Sequence, residues 1–201
     1  WEVLFKKNIK LAIERRKIFK TYEEGSRLVY GDNDNLPGLI VDMYQNYVFI
    51  QINTAGMDKY RKQVKELLSE TFSNKNVVFL DNPEYRKNEV LPDYDEDEIS
   101  NDVLIKENGF SYEINKSVMQ KVGYYYDHRE NRKKLENKLK DIKVELGSGL
   151  DLFSYVGSWG LHLLRAGVKK VTFVDQANME DVTKHNLQLN GFEKQGDFVR
   201  S

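Results

Sequence analysis

The sequence predicts an α/β protein in which a small central β-α-β domain, of the α+β type, is followed by the first half of a doubly wound domain. Short runs rich in Val, Ile, Tyr and Phe, separated by turn residues, fill residues 27–116. After residue 121 strand-like and helix-like segments alternate. The hydrophobic content of 40% is enough for a folded core.

The composition excludes several classes of protein. Because 31 basic and 32 acidic residues leave a net charge of −1, any polyanion must be bound by a local patch. The chain has no Cys, which excludes disulfides, thiolate zinc sites and cysteine nucleophiles and suits a cytoplasmic location. Apolar runs such as 77–80 are far shorter than the roughly 20 residues of a membrane span, so no membrane partner is expected.

Residues 1–24 are predicted to form a connecting helix, because apolar residues recur there at helical spacing. Its first 20 residues have a net charge of +5, which favours a solvated face over an RNA-facing one.

The central domain is predicted over residues 25–116. We expect strands at 27–30, 36–42, 47–53 and 77–80, a helix at 58–72, and a final hairpin of 103–107 with 110–116 that closes the β-α-β unit. The acidic residues between 93 and 98 lack the spacing of a metal loop and predict a solvated loop.

Residues 117–201 are predicted to begin the doubly wound domain. Asp127 and Glu130 fit a capping box for a helix at 128–140. A strand ends near Asp151, a glycine-bearing turn follows at 154–160, and a helix stops at Gly167. A strand at 171–175 and a helix at 179–189 come next.

This order predicts a nucleoside-binding half-site. Ligands of such sheets bind beyond the carboxyl ends of the strands, where the turn at Gly157 lies, and Asp175 can accept both ribose hydroxyls there. Neither glycine run, 147–149 or 157–160, completes the G-x-G-x-x-G fingerprint of dinucleotide enzymes, which disfavours a nicotinamide or flavin enzyme. S-adenosylmethionine, which has no phosphate, needs fewer glycines.

The first acid of this half-site is ambiguous, because Glu145 with Gly147-Ser-Gly149 imitates the same motif. Asp151 precedes Asp175 by 24 residues and Glu145 precedes it by 30. Asp151 is preferred because its separation is closer to the roughly 20 residues of one β-α-β step.

Three stretches carry a family resemblance: Arg27-Leu-Val-Tyr-Gly31 with Asp34-Asn-Leu-Pro-Gly-Leu-Ile-Val-Asp42; residues 120–132, Gln-Lys-Val-Gly-Tyr-Tyr-Tyr-Asp-His-Arg-Glu-Asn-Arg; and residues 151–157, Asp-Leu-Phe-Ser-Tyr-Val-Gly. With them the chain resembles the bacterial RNA cytosine-5 methyltransferases that act on large-subunit ribosomal RNA, the RlmI-like family.

The resemblance implies that residues 117–201 are the N-terminal part of a truncated, Rossmann-like methyltransferase domain that binds S-adenosylmethionine. It implies that Gly157 approaches the methionine part of this cofactor and that Asp175 approaches its ribose. The other residues that it implies at the cofactor are Tyr124, Tyr125, Asp127, Arg129, Asp151, Phe153 and Ser154.

The resemblance also implies an RNA partner, most simply ribosomal RNA, and a cysteine thiolate that adds to carbon-6 of cytosine. This chain contains no Cys, and we therefore expect an internal fragment that is itself inactive and carries no catalytic residue.

Two alternatives stay open: a noncatalytic RNA-binding or assembly module of the same fold and, less favoured, a nucleotide-dependent oxidoreductase. His128, His162 and His185 lack metal-ligand spacing, so no metal is expected. A homo-oligomer is compatible with the sequence, because a short parallel sheet leaves an unpaired hydrophobic edge.

Overall fold

The computed structural model describes residues 2–92, 97–115, 119 and 123–201. The chain divides into two compact units. The first consists of Trp1–Ile105 and Lys116–Gly123, and the second of Lys106–Asn115 and Tyr124–Ser201. The domain boundaries given above stay a prediction. Within the described residues no helix has both the length and the apolar content that a membrane span requires.

The first unit is built on a four-stranded sheet with the strand order β1-β2-β3-β4. β1 pairs antiparallel with β2 and β2 with β3, whereas β3 and β4 are parallel. The strands are β1 Ser26–Tyr30, β2 Leu39–Met43, β3 Tyr47–Ile52 and β4 Asn76–Phe79. The α-helices are α1 Glu2–Lys17, α2 Ala55–Asp58, α3 Arg61–Thr71 and α4 Pro83–Asn88, with 3₁₀ turns at Tyr22–Glu24 and Gly31–Asp34.

One face of this sheet forms the core of the first unit. Alternate residues of the central strands, Leu39 and Val41 on β2 and Ile50 and Ile52 on β3, are fully buried in a cluster with apolar residues of α1 and α3. Since successive side chains of a strand point to opposite faces, the residues between them lie on the second face of the sheet.

The helical segments of this unit differ from the prediction. The segment predicted at 58–72 begins earlier, because the Thr54 hydroxyl caps α2 by accepting from the Met57 amide at 3.4 Å. It is also divided into α2 and α3. The sequence analysis missed α4. Its N-terminus combines the Asn82 side chain as cap with Pro83 in the first turn, which is a common helix start.

Two charged segments of the first unit, which were predicted to be solvated, form ion pairs with other parts of the unit. On α1 the Arg16 guanidinium forms a two-pronged ion pair with the buried Asp34, at 2.6 and 2.7 Å. Of the acidic stretch, residues 93–96 lie outside the described residues, but Asp97 binds Lys65 at 2.7 Å and accepts from the Phe79 amide. This part of the stretch is therefore not a free solvated loop.

The predicted hairpin forms and is divided between the two units, with residues 103–105 in the first and residues 106–114 in the second. β5 Val103–Glu107 and β6 Phe110–Ile114 make a separate two-stranded sheet. β6 belongs to the second unit, where the amides of Ser111 and Glu113 donate to the side chains of Asn190 and Asn186 at 3.0 and 2.9 Å.

The second unit contains a three-stranded parallel sheet in the order β7-β8-β9, with a helix in each connection. This topology confirms the predicted opening of a doubly wound domain. The strands are β7 Ser148–Leu152, β8 Lys170–Asp175 and β9 Gly196–Arg200. The helices are α5 Arg129–Lys140, α6 Ser158–Arg165 and α7 Glu180–Leu189, and a 3₁₀ turn lies at Tyr126–His128.

The predicted capping box of α5 does not form. The residue at the N-cap position is His128, and its side chain makes no capping hydrogen bond. The 3₁₀ turn explains this difference, because it carries the chain into α5 with helical backbone angles and moves Asp127 out of the cap position.

A buried ionic cluster joins α5, α6 and β5 in the second unit. It consists of Glu107, Arg132, Glu136, His162 and Arg165. Arg132 binds both oxygens of Glu107 at 2.6 Å. His162 Nδ1 lies 2.6 Å from Glu136, which also accepts from Arg165 at 2.6 Å. Part of the charged surface of α5 is therefore an interior contact.

Candidate nucleoside-binding site

The turn between β7 and α6 is held against the carboxyl end of β8. The Ser154 amide donates to the Val174 carbonyl at 3.0 Å, and the Tyr155 amide donates to Asp175 Oδ2 at 2.9 Å. The other oxygen of Asp175 accepts from the Ala177 amide at 2.9 Å. Two backbone groups of the chain thus fix the direction of the Asp175 carboxylate.

The backbone of this turn is unusual, because Phe153, Tyr155 and Gly157 all have positive φ angles, of 56°, 49° and 82°. Left-handed backbone costs residues with a side chain roughly 1–2 kcal/mol each, and such residues cluster at functional sites. Phe153 is also 88% exposed, an unfavourable arrangement for a Phe side chain. The turn therefore has the character of a binding loop.

Asp151 lies beneath the turn in β7 and is 6% exposed. Its Oδ2 atom accepts from the Gly160 amide at 2.8 Å, in the first turn of α6. Burial raises the pKa of Asp151 to about 6, and the negative charge of Asp175 raises it as well, while the Gly160 hydrogen bond and Arg132 act in the opposite direction. The two carboxylates therefore belong to one electrostatic site.

Glycine at position 160 is required by packing. A Cβ atom there would lie 2.1 Å from the Phe173 ring, so no other residue allows α6 to approach β8 this closely. Gly157 approaches the same ring, and its Cβ would lie 3.2 Å away. Gly160 in α6 and Gly157 in the turn thus both serve helix–strand packing, and Gly157 also supplies the positive φ angle.

The segment at 124–126 meets this turn through an aromatic contact. The Tyr125 ring lies edge-on to Tyr155, with centroids 5.7 Å apart, and contacts His128 at 6.3 Å. The Tyr125 carbonyl accepts from Arg132 at 2.9 Å, which connects the segment to the buried ionic cluster. The structure thus places Tyr125 beside the 153–157 turn.

The other predicted residues of this segment have partners outside the turn. Tyr124 is buried between Tyr112 and Tyr126, with centroid distances of 5.6 and 5.0 Å. Arg129 is buried over the Tyr126 ring at 4.7 Å. Asp127 is 75% exposed and lies 3.6 Å from His128. Residues 120–122, part of the same motif, lie outside the described residues.

The polar groups of the turn suit a ligand with hydroxyl and amino groups. The Ser154 Oγ atom is buried, and none of the described residues forms a hydrogen bond with it. Such an atom costs free energy unless a ligand supplies a partner. Together with the carboxylates of Asp151 and Asp175, the Ser154 hydroxyl suits a ligand that combines a nucleoside, with its ribose hydroxyls, and an amino acid, with its ammonium group. Among the described residues no group of three or more His, Cys, Asp or Glu side chains is placed to hold a metal ion.

The structure gives the two candidate acids different surroundings. Gly149 lies inside β7, and Glu145 is exposed and pairs with Lys169, whereas Asp151 is buried and accepts from the Gly160 amide. Asp151 as the first acid of the site stays a prediction. The hydrogen-bonding groups that the sequence analysis missed are the amides of Tyr155, Gly160 and Ala177. Tyr155 lies inside the quoted motif and Gly160 in the glycine run 157–160, but neither was predicted as a donor, because backbone donors leave no trace in a side-chain pattern.

Comparisons with known proteins extend these findings. No family model matches the chain. Proteins named ribosomal RNA large subunit methyltransferase I are similar to it: that of Vibrio parahaemolyticus is 32% identical over 84% of this chain and 43% of its own length. That of Pseudoalteromonas translucida is 32% identical over 98% of this chain and 50% of its own length. The chain therefore spans about half the length of the curated relatives it matches.

Solved structures share the fold. A protein from Streptococcus mutans, assigned as a SAM-dependent methyltransferase, has a TM-score of 0.74 at 21% identity, over 99% of this chain and 52% of its own. A second solved structure, of SMU.776 in complex with SAH, a protein assigned as a methyltransferase, has a TM-score of 0.74 at 20% identity, over 99% of this chain and 51% of its own. The SAM-dependent methyltransferase of Agrobacterium tumefaciens gives 0.57 at 17% identity, over 81% of this chain and 49% of its own.

These similarities confirm the Rossmann-like fold of the second unit and the resemblance found in the sequence. The chain is a homologue of the ribosomal RNA large subunit methyltransferase I proteins and corresponds to about half of their length.

Proposed function

We propose that this chain supplies the S-adenosylmethionine-binding part of a methyltransferase that acts on large-subunit ribosomal RNA. The observation that carries the proposal is the 153–157 turn, which is held over the carboxyl ends of β7 and β8 with Asp151 and Asp175 on either side. Methyl transfer and ribosomal RNA as its substrate are inferred from the names of the relatives. A cytoplasmic location follows from an RNA substrate of this kind.

The residues of the turn have distinct roles in this proposal. Each oxygen of Asp175 accepts one backbone amide, and each keeps a lone pair for a ribose hydroxyl. Gly157 gives the methionine part close access to the backbone, and Asp151 and Ser154 supply its ammonium group with acceptors. Phe153 and the segment with Tyr124, Tyr125, Asp127 and Arg129 complete the site. The bound cofactor supplies an electrophilic methyl group.

We further propose cytosine carbon-5 as the acceptor of the methyl group. Carbon-5 is a poor nucleophile, and a cysteine thiolate that adds to carbon-6 makes it reactive. Because the 201 residues contain no Cys, the thiolate would come from another part of the protein, and this chain alone would be inactive.

Calorimetric titration with S-adenosylhomocysteine tests the cofactor. We expect saturable 1:1 binding, no binding of NAD⁺, and a loss of at least about tenfold in affinity for Asp175→Asn, because one of its oxygens becomes a donor. Asp197→Asn is the matched control on the neighbouring strand, since Asp197 is exposed and pairs with Lys170. Binding of NAD⁺ in place of S-adenosylhomocysteine would favour the oxidoreductase.

Incubation with tritiated S-adenosylmethionine and ribosomal RNA tests the chemistry. We expect no methyl incorporation by this chain alone. Incorporation would contradict the assignment of the thiolate to another part of the protein. RNA binding without any binding of S-adenosylhomocysteine would favour the noncatalytic module.

A further inference from the structure

The first unit contains a cavity of about 250 Å³ that the proposed cofactor site does not include. Its floor is the second face of the four-stranded sheet, opposite the apolar core. The strand residues in its lining alternate with core residues: Arg27 on β1, Ile40 and Asp42 on β2, and Phe49 and Gln51 on β3. Antiparallel sheets commonly leave such a face to solvent, but this one carries a concave, mixed polar and aromatic surface.

The cavity has aromatic walls. Tyr44 lies edge-on to Phe49, with centroids 5.4 Å apart, and both rings are almost fully buried. Tyr85, on α4, is half exposed at the rim. A volume below the roughly 300–1,000 Å³ of drug-sized sites suits one flat ring rather than a larger ligand.

Two acceptors of the cavity have unused hydrogen-bonding capacity, Asn53 Oδ1 and the Asp42 carboxylate. The buried Asn53 Oδ1 atom has no hydrogen-bond partner among the described residues. The Asp42 carboxylate receives two bonds from Arg27, at 2.8 and 3.0 Å, and keeps further lone pairs. An acceptor buried without a donor is costly, which points to a ligand that donates.

The charges in the lining disfavour a phosphate. Arg27 is neutralised by Asp42, and the remaining charged residue of the lining, Asp81, is bound to Arg61 at 2.6 Å and to Arg86 at 3.2 Å. Among the described residues, the lining thus carries no uncompensated positive charge for an anion. A neutral, planar group with an amino donor fits these walls better.

We propose that this cavity binds an unpaired adenine or cytosine in single-stranded RNA, through the exocyclic amine that adenine carries at carbon 6 and cytosine at carbon 4. Proteins recognise unpaired bases by stacking on aromatic or guanidinium planes and by hydrogen bonds to the base edges. Asp and Glu side chains accept from such amines. The inference rests on the proposed function only for RNA as the partner, since the cavity lies in the other unit.

Fluorescence anisotropy with labelled single-stranded RNA ten-mers tests the proposal on the complete 201-residue chain. We expect oligo-A or oligo-C to bind at least about fivefold more tightly than oligo-U, which has no exocyclic amine. Tyr85→Ala and Gln51→Ala should each weaken the tighter complex about three- to tenfold, because stacking and edge contacts are lost. The matched control is Phe19→Ala, an exposed aromatic residue outside the cavity.

Equal binding of the three oligonucleotides, or equal effects of Tyr85→Ala, Gln51→Ala and Phe19→Ala, would overturn the proposal. Competition with free AMP or CMP identifies the source of the base. If the free nucleotide displaces the labelled RNA, the cavity recognises the base alone. If the RNA stays bound and the cavity variants still weaken its binding, the cavity recognises a base within an RNA chain. Titration of the same variants with S-adenosylhomocysteine keeps the two proposals apart. The cavity variants should bind it as the wild type does, whatever their RNA affinity.

Discussion

At the scale of one residue, the buried carboxyl of Asp151 lowers the stability of the folded chain at neutral pH. Its carboxyl is buried, so the folded chain disfavours the ionised form, and its pKa rises from 3.8 to about 6. A raised carboxyl pKa means that this group supports folding fully only below about pH 4. The support is lost as the pH rises through the folded pKa.

Asp151→Asn is therefore expected to stabilise the chain at neutral pH. The amide keeps an acceptor for the Gly160 amide but never ionises. We expect a gain of about 1–3 kcal/mol in the free energy of unfolding at pH 7.5, and almost none at pH 4, from the shift in pKa. Urea unfolding at the two pH values measures it.

The control for this prediction is Asp32→Asn, which changes an exposed carboxylate in the first unit and should leave stability nearly unchanged at both pH values. A gain for Asp151→Asn of the same size at pH 4 and pH 7.5 would contradict the assignment to ionisation.

Residues of the site could be predicted from the sequence where they lie next to each other along the chain. Asp151 and Gly157 share one motif, and Asp175 follows one β-α-β step later. The contact of Tyr125 with Tyr155 could not be predicted from spacing, because a helix and a strand separate them.

At the scale of elements, the buried ionic cluster determines how α5 packs on α6. Burial raises the pKa of Glu136, but hydrogen bonds from Arg165, Lys140 and His162 outweigh it and hold that pKa well below its usual range. A lowered carboxyl pKa contributes stability above the unfolded value, near pH 4.5. This contribution is lost as the pH falls further.

Glu136→Gln is expected to destabilise the chain by roughly 1–3 kcal/mol at pH 7, because the partly exposed Arg165 and Lys140 lose the counter-charge to which they are hydrogen-bonded. The difference from the wild type should narrow as the pH falls from 6 to 3, since the wild type then loses the same contribution. Thermal unfolding monitored by circular dichroism across this range measures both effects.

Glu130→Gln provides the comparison for this prediction, because Glu130 is exposed on the same helix. This substitution should lower the free energy of unfolding by only a few tenths of a kcal/mol. A constant difference between Glu136→Gln and the wild type from pH 6 to pH 3 would exclude the proposed role of the Glu136 charge.

The elements themselves were predictable where local pattern decides them. The strand-like runs of apolar residues predicted β2 and β3, and the order of strands and helices along the chain predicted the fold of the second unit. The partners of the cluster were not predictable: Arg132 sits four residues before Glu136 but binds Glu107, 25 residues earlier in the chain. A helical spacing rule cannot anticipate a partner that tertiary folding supplies.

At the scale of the whole molecule, the three-stranded sheet presents an apolar face to solvent. Leu152 on β7, Val174 on β8 and Val199 on β9 are paired in register and form a row across it. Leu150 and Leu152 are 59% and 56% exposed. Parallel sheets are normally covered on both faces, so this surface favours association.

Replacing both Leu150 and Leu152 by Thr is expected to reduce self-association, because Thr keeps the preference for a strand and removes exposed apolar area. Sedimentation velocity at increasing concentration should show a lower weight-average mass for this variant than for the wild type. Leu189→Thr is the control, since Leu189 is an exposed Leu at the end of α7 in the same unit. Equal association of all three proteins would show that the sheet face is not the contact.

The double attachment of Asp175 has a consequence for how this protein can change. Because its two oxygens receive the amides of Tyr155 and Ala177, the same side chain shapes the backbone that surrounds it. Selection for a well-formed loop alone is enough to retain an acid at this position. A descendant that had given up its ligand would therefore still carry the acid, and its presence in a distant sequence is evidence of ancestry rather than of activity.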